Sequence, residues 1–470
     1  MRPVAPVLLA AALVLAGCSA PAASPSAAAD WTYPDDPPSD RLGWEAGVWW
    51  NESIAVNQSD GLSPTEREAF VARTMARIER VRGLEFREPV PVEVISRAEY
   101  REREVFSGDR PDEYGAWHDQ VWEAALIVGE DRDVAREFDA LYGGAVQGYY
   151  TPSDGRIVVV SDAEDPRIDR ATLAHELVHA LQDQHFGFVG TRSRDAGLAH
   201  DGLTEGDARY VETLYLDRCV AGPGNETATD AAGWACVPPS ARAGGGAESE
   251  PVNRGLFAYV YQPYADGPAF VHRLRERGGW AAVNAAYDDR PLSTEQTIHP
   301  ERYPDDRPEE VAVPDRSGDR WSRFDLGRRS ERLGEAGLFA MFWYNDYAAD
   351  GFHTNDRPYS TRNYTVAPSD GWTGDRLVPY RRGDGDDAAY GYVWAIRFDD
   401  AVEATAFRRS YRTMLQLRVG ARVVDRAAGV YRIPDGPFAD AVRIERDGRT
   451  VVITNAPTVA GLDAVRDRPD

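Results

Sequence analysis

The sequence predicts an α+β protein whose last third is a separate α+β domain, and three features of the 470-residue chain support this class. Apolar residues recur at helical spacing through much of the chain before residue 290. Residues 148–160 have the alternation and the turn of a β-hairpin. After residue 370, short β-branched and aromatic segments surround one helix. Hydrophobic residues make up 43% of the chain, which excludes global disorder, and the length favours two or three domains.

The charge of the chain limits its partners. It contains 53 basic and 77 acidic residues, a formal net charge of −24, and every basic residue is arginine. This charge repels phosphate backbones, so we expect no nucleic-acid partner. An acid excess without lysine indicates a halophilic protein, because dense salt screens the repulsion between carboxylates. The alternative is GC-rich codon usage, which also replaces lysine by arginine.

The first 40 residues predict an exported lipoprotein. Arg2 precedes the apolar run Val4–Ala16, which has the length of a signal peptide and is too short to span a bilayer. The following Gly17-Cys18 completes a lipobox-like ending, so residues 1–18 would be the signal peptide and Cys18 the lipidated N-terminus. Residues 19–40, which begin rich in Ala, Ser and Pro, predict a flexible tether. We therefore expect membrane attachment through Cys18 at the cell surface.

Residues 41–220 form the next predicted domain. Ser63, followed by Pro64 and by Glu66 three residues on, has the pattern of a capping box and begins a helix that runs to about Arg82. The other elements expected here are a strand at Pro89–Ile95, helices at Trp117–Val128 and Val134–Tyr142, the hairpin Gly148–Val160, a helix Arg170–Phe186 between Asp169 and Gly187, and a helix Leu203–Arg218.

The rest of the chain divides into three predicted parts. Residues 221–251 are a loop held by a Cys219–Cys236 disulfide, as expected for an exported chain, with two free thiols as the alternative. Residues 252–315 are a helical segment with helices at Leu256–Arg277 and Trp280–Tyr287. Residues 316–470 are the C-terminal α+β domain, with helices at Leu333–Tyr347 and Ala401–Leu415 and strands at Val378–Tyr380, Tyr390–Phe398, Ala421–Val424, Val430–Ile433, Ala441–Ile444 and Val451–Thr454.

One motif predicts metal binding and catalysis. His175-Glu176-Leu177-Val178-His179 reads H-E-x-x-H on a predicted helix. Residues i and i+4 share one face of a helix, so the two imidazoles can bind one Zn²⁺. Glu176 is displaced round the helix, where it can act as general base toward a metal-bound water. The alternative is a pair of half-buried histidines with no metal.

A third ligand is required, and two residues are candidates. Glu205 lies on the next predicted helix and would complete a His₂Glu set, with Gly206 permitting a close helix–helix approach. His185 follows His179 by six residues, but Gln182 stands where a turn-forming glycine would be needed, so an unbroken helix points His185 away. We favour Glu205, and keep His185 as the alternative.

A resemblance to a known family extends this motif. The run His175–Phe186 (HELVHALQDQHF), the hairpin strands Tyr149–Val160 and the segment Glu205–Ala208 resemble gluzincin-type zinc metallopeptidases. More narrowly, they resemble a group of exported zincin-like proteins of haloarchaea and some bacteria. The likeness continues into Ser293–Pro300 and Gly371–Leu377. It implies that residues 41–220 are a zincin-like domain and that a peptide or protein is the substrate.

The resemblance also implies roles for further residues. In zincins the strand before the metal helix binds extended substrate, which would give Arg156–Val160 a role in β-addition or leave it an ordinary core strand. Four residues are candidates to stabilise the oxyanion: Tyr149, Tyr150, Tyr210 and His299. Asp207 is a candidate to accept a hydrogen bond from a ligand histidine.

Together these patterns predict a lipid-anchored, zinc-dependent endopeptidase. His175, His179 and Glu205 would hold one Zn²⁺, and Glu176 would be the general base. Two alternatives stay open. The first is a non-catalytic surface protein in which the metal is a structural clip with His185 or His200 as fourth ligand. The second is a peptide-binding module that captures peptides without hydrolysing them.

Overall fold

The computed structural model describes residues 37–103, 112–143, 146–163, 165–220, 234–238, 252–315, 317, 320–348, 351–383, 385 and 388–467. The predicted signal peptide, Cys18 and most of the predicted tether and of the loop 221–251 lie outside these residues. In the part that is described, no helix combines the length and the apolar character needed to cross a membrane.

The chain forms two compact units that alternate along the sequence. Of the described residues, the first contains those within 37–103, 142–189 and 207–238, and the second contains those within 112–141, 190–206 and 252–467. Residues 112–141 group with the C-terminal residues, and the domain boundaries expected from the sequence stay a prediction. Helix α6 (Arg194–Val220) is continuous and runs from the second unit into the first.

The first unit has a small mixed sheet with helices packed on it. In the three-stranded sheet, β5 is central, with β3 parallel to it and β4 antiparallel. The bounds are β1 Trp44–Glu45, β2 Val48–Trp49, α1 Pro64–Arg82, β3 Val92–Ile95, α2 Arg97–Glu102, β4 Gly148–Thr151, β5 Arg156–Val160 and α5 Arg170–Phe186.

The local signals of this unit are present in the structure. Ser63 and Glu66 form both hydrogen bonds of the capping box, and Gly83 ends α1 in the left-handed conformation (φ 74°). The hairpin forms with Tyr149 opposite Val158. The interpretation of Arg156–Val160 as a strand that adds a peptide is wrong, because this strand already pairs on both sides. Strands β3 and β4 are the edges of this sheet.

The second unit contains a seven-stranded antiparallel sheet in the order β6-β7-β8-β12-β11-β10-β9. Helix α10 packs against β8, β11 and β12. The bounds are α3 Asp112–Ala124, α4 Val134–Gly143, α7 Arg254–Asp288, α8 Thr294–Ile298, β6 Ser322–Arg323, α9 Gly334–Tyr344, β7 Trp372–Arg382, β8 Ala389–Phe398, α10 Ala401–Leu417, β9 Arg422–Asp425, β10 Val430–Arg432, β11 Ala441–Asp447, β12 Thr450–Ala456 and α11 Leu462–Val465.

Glycines explain two features of the long helices. The backbone of α7 leaves the helical conformation at Gly278 and Gly279, which separates the two helices that the sequence predicts there. Helix α6 begins at Arg194, earlier than the predicted Leu203. Its glycines lower helix propensity but permit close tertiary contact. At Gly202, for example, an added Cβ would lie only 2.8 Å from Thr297 Cγ2, so glycine lets Thr297 pack against the helix. Packing therefore favours a helix that the local sequence does not predict.

Candidate metal centre

Helix α5 fixes the two histidines of the motif. Asp169 caps it by accepting hydrogen bonds from the amides of Ala171 and Thr172, each at 3.0 Å. His175 and His179 are consequently one turn apart on a regular helix, with ring centroids 4.8 Å apart and ring planes at 84°. Both side chains are buried, His179 completely. Two imidazoles thus face the same point from adjacent turns.

Glu205 joins them from α6. One nitrogen of each histidine and one carboxylate oxygen of Glu205 all lie within 4.8 Å of one another. Ligands at about 2.1 Å from one ion are at most about 4.2 Å apart, so small side-chain movements would bring all three to a common ion. Two imidazoles and one carboxylate are a donor set that suits Zn²⁺. The residues present therefore fit the metal that the sequence predicts.

The position of Glu205 depends on a close approach beside it. Gly206 faces Gly267 of α7, and a Cβ added at Gly206 would lie 2.5 Å from the carbonyl carbon and oxygen of Gly267. Two facing glycines let the backbones of α6 and α7 come this near. The close helix–helix approach expected at Gly206 is present, and its partner is α7.

A second carboxylate orients His175. Glu212 Oε2 lies 3.2 Å from His175 Nδ1, and both carboxylate oxygens of Glu212 accept hydrogen bonds from Arg209, at 2.7 and 2.9 Å. An ionised carboxylate only accepts, so His175 Nδ1 donates and Nε2 keeps its lone pair for a metal. Glu212 follows Glu205 by seven residues, two helical turns, and that spacing was the sequence signal that could have identified it.

His179 is oriented by a chain of polar side chains. Its Nδ1 lies 2.9 Å from Gln182 Oε1, which only accepts, so the ring donates here and its Nε2 carries the lone pair that could bind a metal. Gln182 Nε2 lies 3.5 Å from Asp207, whose carboxylate receives Arg82 Nε at 3.0 Å from each oxygen. Asp207 is thus buried and paired with Arg82, and it connects to His179 through Gln182.

The alternative ligands, His185 and His200, are placed differently from Glu205. His185 Nε2 lies 2.8 Å from the carbonyl oxygen of Glu85, and burial lowers the pKa of this imidazole. His200 is on α6, and burial lowers its pKa to about 4. Within the described residues, neither histidine belongs to the group of side chains that contains His175. The third donor beside the two motif histidines is Glu205.

The tyrosines of the hairpin are buried. Tyr149 packs in an apolar cluster with Tyr100, and Tyr150 donates a hydrogen bond from its hydroxyl to Asp183 at 2.8 Å. Burial, with the Asp183 carboxylate beside it, raises the pKa of Tyr150, so this hydroxyl keeps its proton. Tyr210 is buried on α6, within the same helix as Glu205. These contacts give Tyr149 and Tyr150 structural partners.

Four further predicted residues have definite positions. His299, in the second unit, lies with its Nε2 3.1 Å from Glu335 Oε1, and the hydrogen bond to this carboxylate raises the pKa of the imidazole against the opposing effect of burial. Glu176 is on α5 between the two motif histidines and only 1% of it is exposed. Cys219 and Cys236 are joined by a disulfide.

Comparison with known proteins bears on the C-terminal part. Residues 322–466 match a family described as a domain of unknown function, DUF8575. The match begins at β6 and ends just after α11, so it contains the seven-stranded sheet. It covers less than a third of the chain and none of the residues around His175. No curated protein and no solved structure matches the chain.

Proposed function

We propose that this protein is a zinc-dependent endopeptidase of gluzincin type, with residues 41–220 as a zincin-like domain. The observation that carries the proposal is the convergence of His175, His179 and Glu205 within 4.8 Å, with H-E-x-x-H on one helix. The predicted lipobox at Cys18 supports a site of action on the outer face of the cytoplasmic membrane. Unfolded peptides or proteins are the proposed substrates, and the net charge of −24 argues against nucleic acid.

Each residue has a definite task in this proposal. His175, His179 and Glu205 would hold the ion, and the hydrogen bonds from the two Nδ1 atoms to Glu212 and Gln182 would orient each Nε2 toward it. A bound zinc ion would supply a lowered pKa of water, about 7, and would polarise the scissile carbonyl. Glu176 would accept a proton from the attacking water and donate it to the leaving amine. Burial of Glu176 beside the imidazoles strengthens these electrostatic effects.

The burial of the site favours a second candidate function, a non-catalytic metal clip. Glu176, His179 and Glu205 are each 2% exposed or less, and a substrate peptide needs access to the metal. Structural zinc sites, however, almost always have four protein ligands, and the group found in the described residues offers three. Three protein ligands leave one position for water, which is the arrangement of a catalytic site.

The test measures zinc content and hydrolysis together, in low and in molar salt. We expect the full chain to bind one Zn²⁺ and to cleave a fluorescently labelled unfolded protein. Glu176→Gln preserves the shape and removes the base, so it should keep the zinc and lose activity by about 10²-fold or more. Glu205→Gln should lose zinc as well as activity. His185→Gln is the matched control and should keep both, since its partner is the Glu85 carbonyl.

The outcomes separate the candidates. A wild-type chain that binds zinc and is as inert as Glu176→Gln on broad peptide libraries, but loses stability on chelation, is a metal clip. A chain that captures peptides without turnover is a binding module. Loss of zinc in His185→Gln, with retention in Glu205→Gln, would overturn the proposed ligand set.

A further inference from the structure

A second group of acidic side chains converges in the second unit. Carboxylate oxygens of Glu123, Glu130 and Asp440 all lie within 4.8 Å of one another. Glu123 stands near the end of α3, Glu130 in the segment after it, and Asp440 immediately before β11. Glu123 and Asp440 are 3% exposed, whereas Glu130 is exposed to solvent. The group is therefore buried on one side and open on the other.

Close backbone packing holds the group together. The amide of Glu130 donates a hydrogen bond to the carbonyl of Pro437 at 2.9 Å. Gly129 makes this contact possible, since a Cβ there would lie 2.3 Å from Pro437 Cβ. This main-chain contact holds Glu130 beside Pro437, which precedes Asp440 by three residues. The backbone packing therefore brings the carboxylates together despite their mutual repulsion.

Two buried amide oxygens beside this group have no hydrogen-bond partner in the part of the chain that is described. Gln120 donates through Nε2 to Glu123, and its Oε1 is buried without a partner. The side chain of Asn455 hydrogen-bonds Asp440, and its Oδ1 is likewise buried and unpaired. Gln120 is 4% exposed and Asn455 2%. Buried acceptors left without a donor are costly, and a cation would satisfy both.

The local charge leads to the same conclusion. Arg432 acts electrostatically on both Asp440 and Glu130, and its guanidinium is hydrogen-bonded to the Pro457 carbonyl at 2.7 Å. With Glu123, Glu130 and Asp440 all ionised, the three carboxylates and the guanidinium have a formal charge of −2, which one divalent cation cancels. Without a cation, Glu123 and Asp440 hydrogen-bond each other, so one proton lies between them and binding of a cation would release it.

We propose that Glu123, Glu130 and Asp440, with the amide oxygens of Gln120 and Asn455, bind a Ca²⁺ ion. All five donors are oxygens, which hard cations prefer, and amide oxygens beside carboxylates are typical of Ca²⁺. Bidentate carboxylates and water at the exposed Glu130 bring the coordination to the six to eight oxygens that this ion takes. The ion links α3, which precedes the DUF8575 match, to β11 and β12 within it.

The test is a calcium titration of the full chain after chelation, with one equivalent of Zn²⁺ restored so that the first metal site does not interfere. We expect one Ca²⁺ to bind with Kd of about 1 mM or tighter, the range of extracellular calcium modules, and the thermal midpoint to rise. Mg²⁺ should bind at least tenfold more weakly, because it keeps its water shell.

Matched variants identify the site. Glu130→Gln removes an exposed ligand, so the chain should fold and bind Ca²⁺ at least tenfold more weakly. Glu310→Gln makes the same change at an exposed residue outside the group and should leave the affinity unchanged. The proposal is overturned if Ca²⁺ up to 10-fold above that Kd gives neither binding heat nor a shift of the midpoint, or if the two variants bind alike. Equal affinity for Mg²⁺ would overturn the choice of calcium.

Discussion

Gly206 is the position at which one methyl group tests the packing beside the candidate metal centre. In Gly206→Ala the new Cβ would stand 2.5 Å from the carbonyl carbon and oxygen of Gly267. Ordinary contacts begin at 3.4 Å, so α6 and α7 must separate by 3.4 − 2.5 = 0.9 Å at this point. Both clashing atoms are backbone, so a side-chain rotation cannot relieve them.

The expected cost follows from two opposing effects. Overpacking a well-packed contact costs about 1–3 kcal/mol, while replacing glycine by alanine in a helix gains up to about 1 kcal/mol. We expect the free energy of unfolding to fall by about 1–2 kcal/mol. Glu205 is the neighbouring residue and must shift with its helix, so zinc affinity should also fall, by about tenfold or more.

The assay is urea unfolding of the zinc-loaded and the zinc-free chain, with zinc affinity measured by competition against a chelating dye. Gly197→Ala is the control, because it makes the same change on the same helix and its Cβ would meet only a side-chain oxygen, Thr191 Oγ1, at 3.3 Å. It should be neutral or slightly stabilising. Equal stability and equal zinc affinity of the two variants would refute the close approach of α6 and α7.

Three further predictions concern buried charges. Glu212→Gln should lower zinc affinity about 10- to 100-fold, measured by the same competition, because the carboxylate orients a ligand imidazole; an unchanged affinity would contradict this role. Arg82→Met should cost about 3–5 kcal/mol in urea unfolding by leaving Asp207 buried without its cation, and adding Asp207→Leu should recover much of that loss; a double variant as unstable as the single one would argue against it. Burial raises the pKa of Asp266 from 3.8 to about 7, so its contribution to stability is complete below about pH 4 and is lost as pH rises through 7. Asp266→Asn should remove this loss, which is on the order of 4 kcal/mol between pH 4 and 8. The measurement is the free energy of unfolding of the wild type and of the variant as a function of pH, and parallel curves would disprove the prediction.

The sequence predicted much of the local structure because the signals are short-range. The capping box at Ser63, the N-cap at Asp169 and the stop at Gly187 each involve residues within a few positions of one another. The hairpin turn is equally local. Strand β7 was predicted at Val378–Tyr380 and extends over Trp372–Arg382. Its first half includes Asp375, a residue that local propensity disfavours in a strand.

Tertiary contacts explain the extra half of β7. The Asp375 carboxylate accepts hydrogen bonds from the indoles of Trp372 and Trp394, at 3.1 and 2.9 Å, and from the amides of Leu333 and Gly334. Four donors from three separate segments stabilise a buried acid inside a sheet. No window of the sequence contains these partners together.

The same distinction applies to the metal centre. By itself the sequence determined that His175, Glu176 and His179 share one helix, because an i, i+4 spacing fixes the face on which side chains project. It left Glu205 and His185 as alternatives for the third position. Only the packing of α5 beside α6 decided that Glu205 meets the two imidazoles while His185 turns to the Glu85 carbonyl. Helical periodicity is set by backbone geometry over a few residues, whereas the meeting of two helices depends on shape and burial along their whole contact.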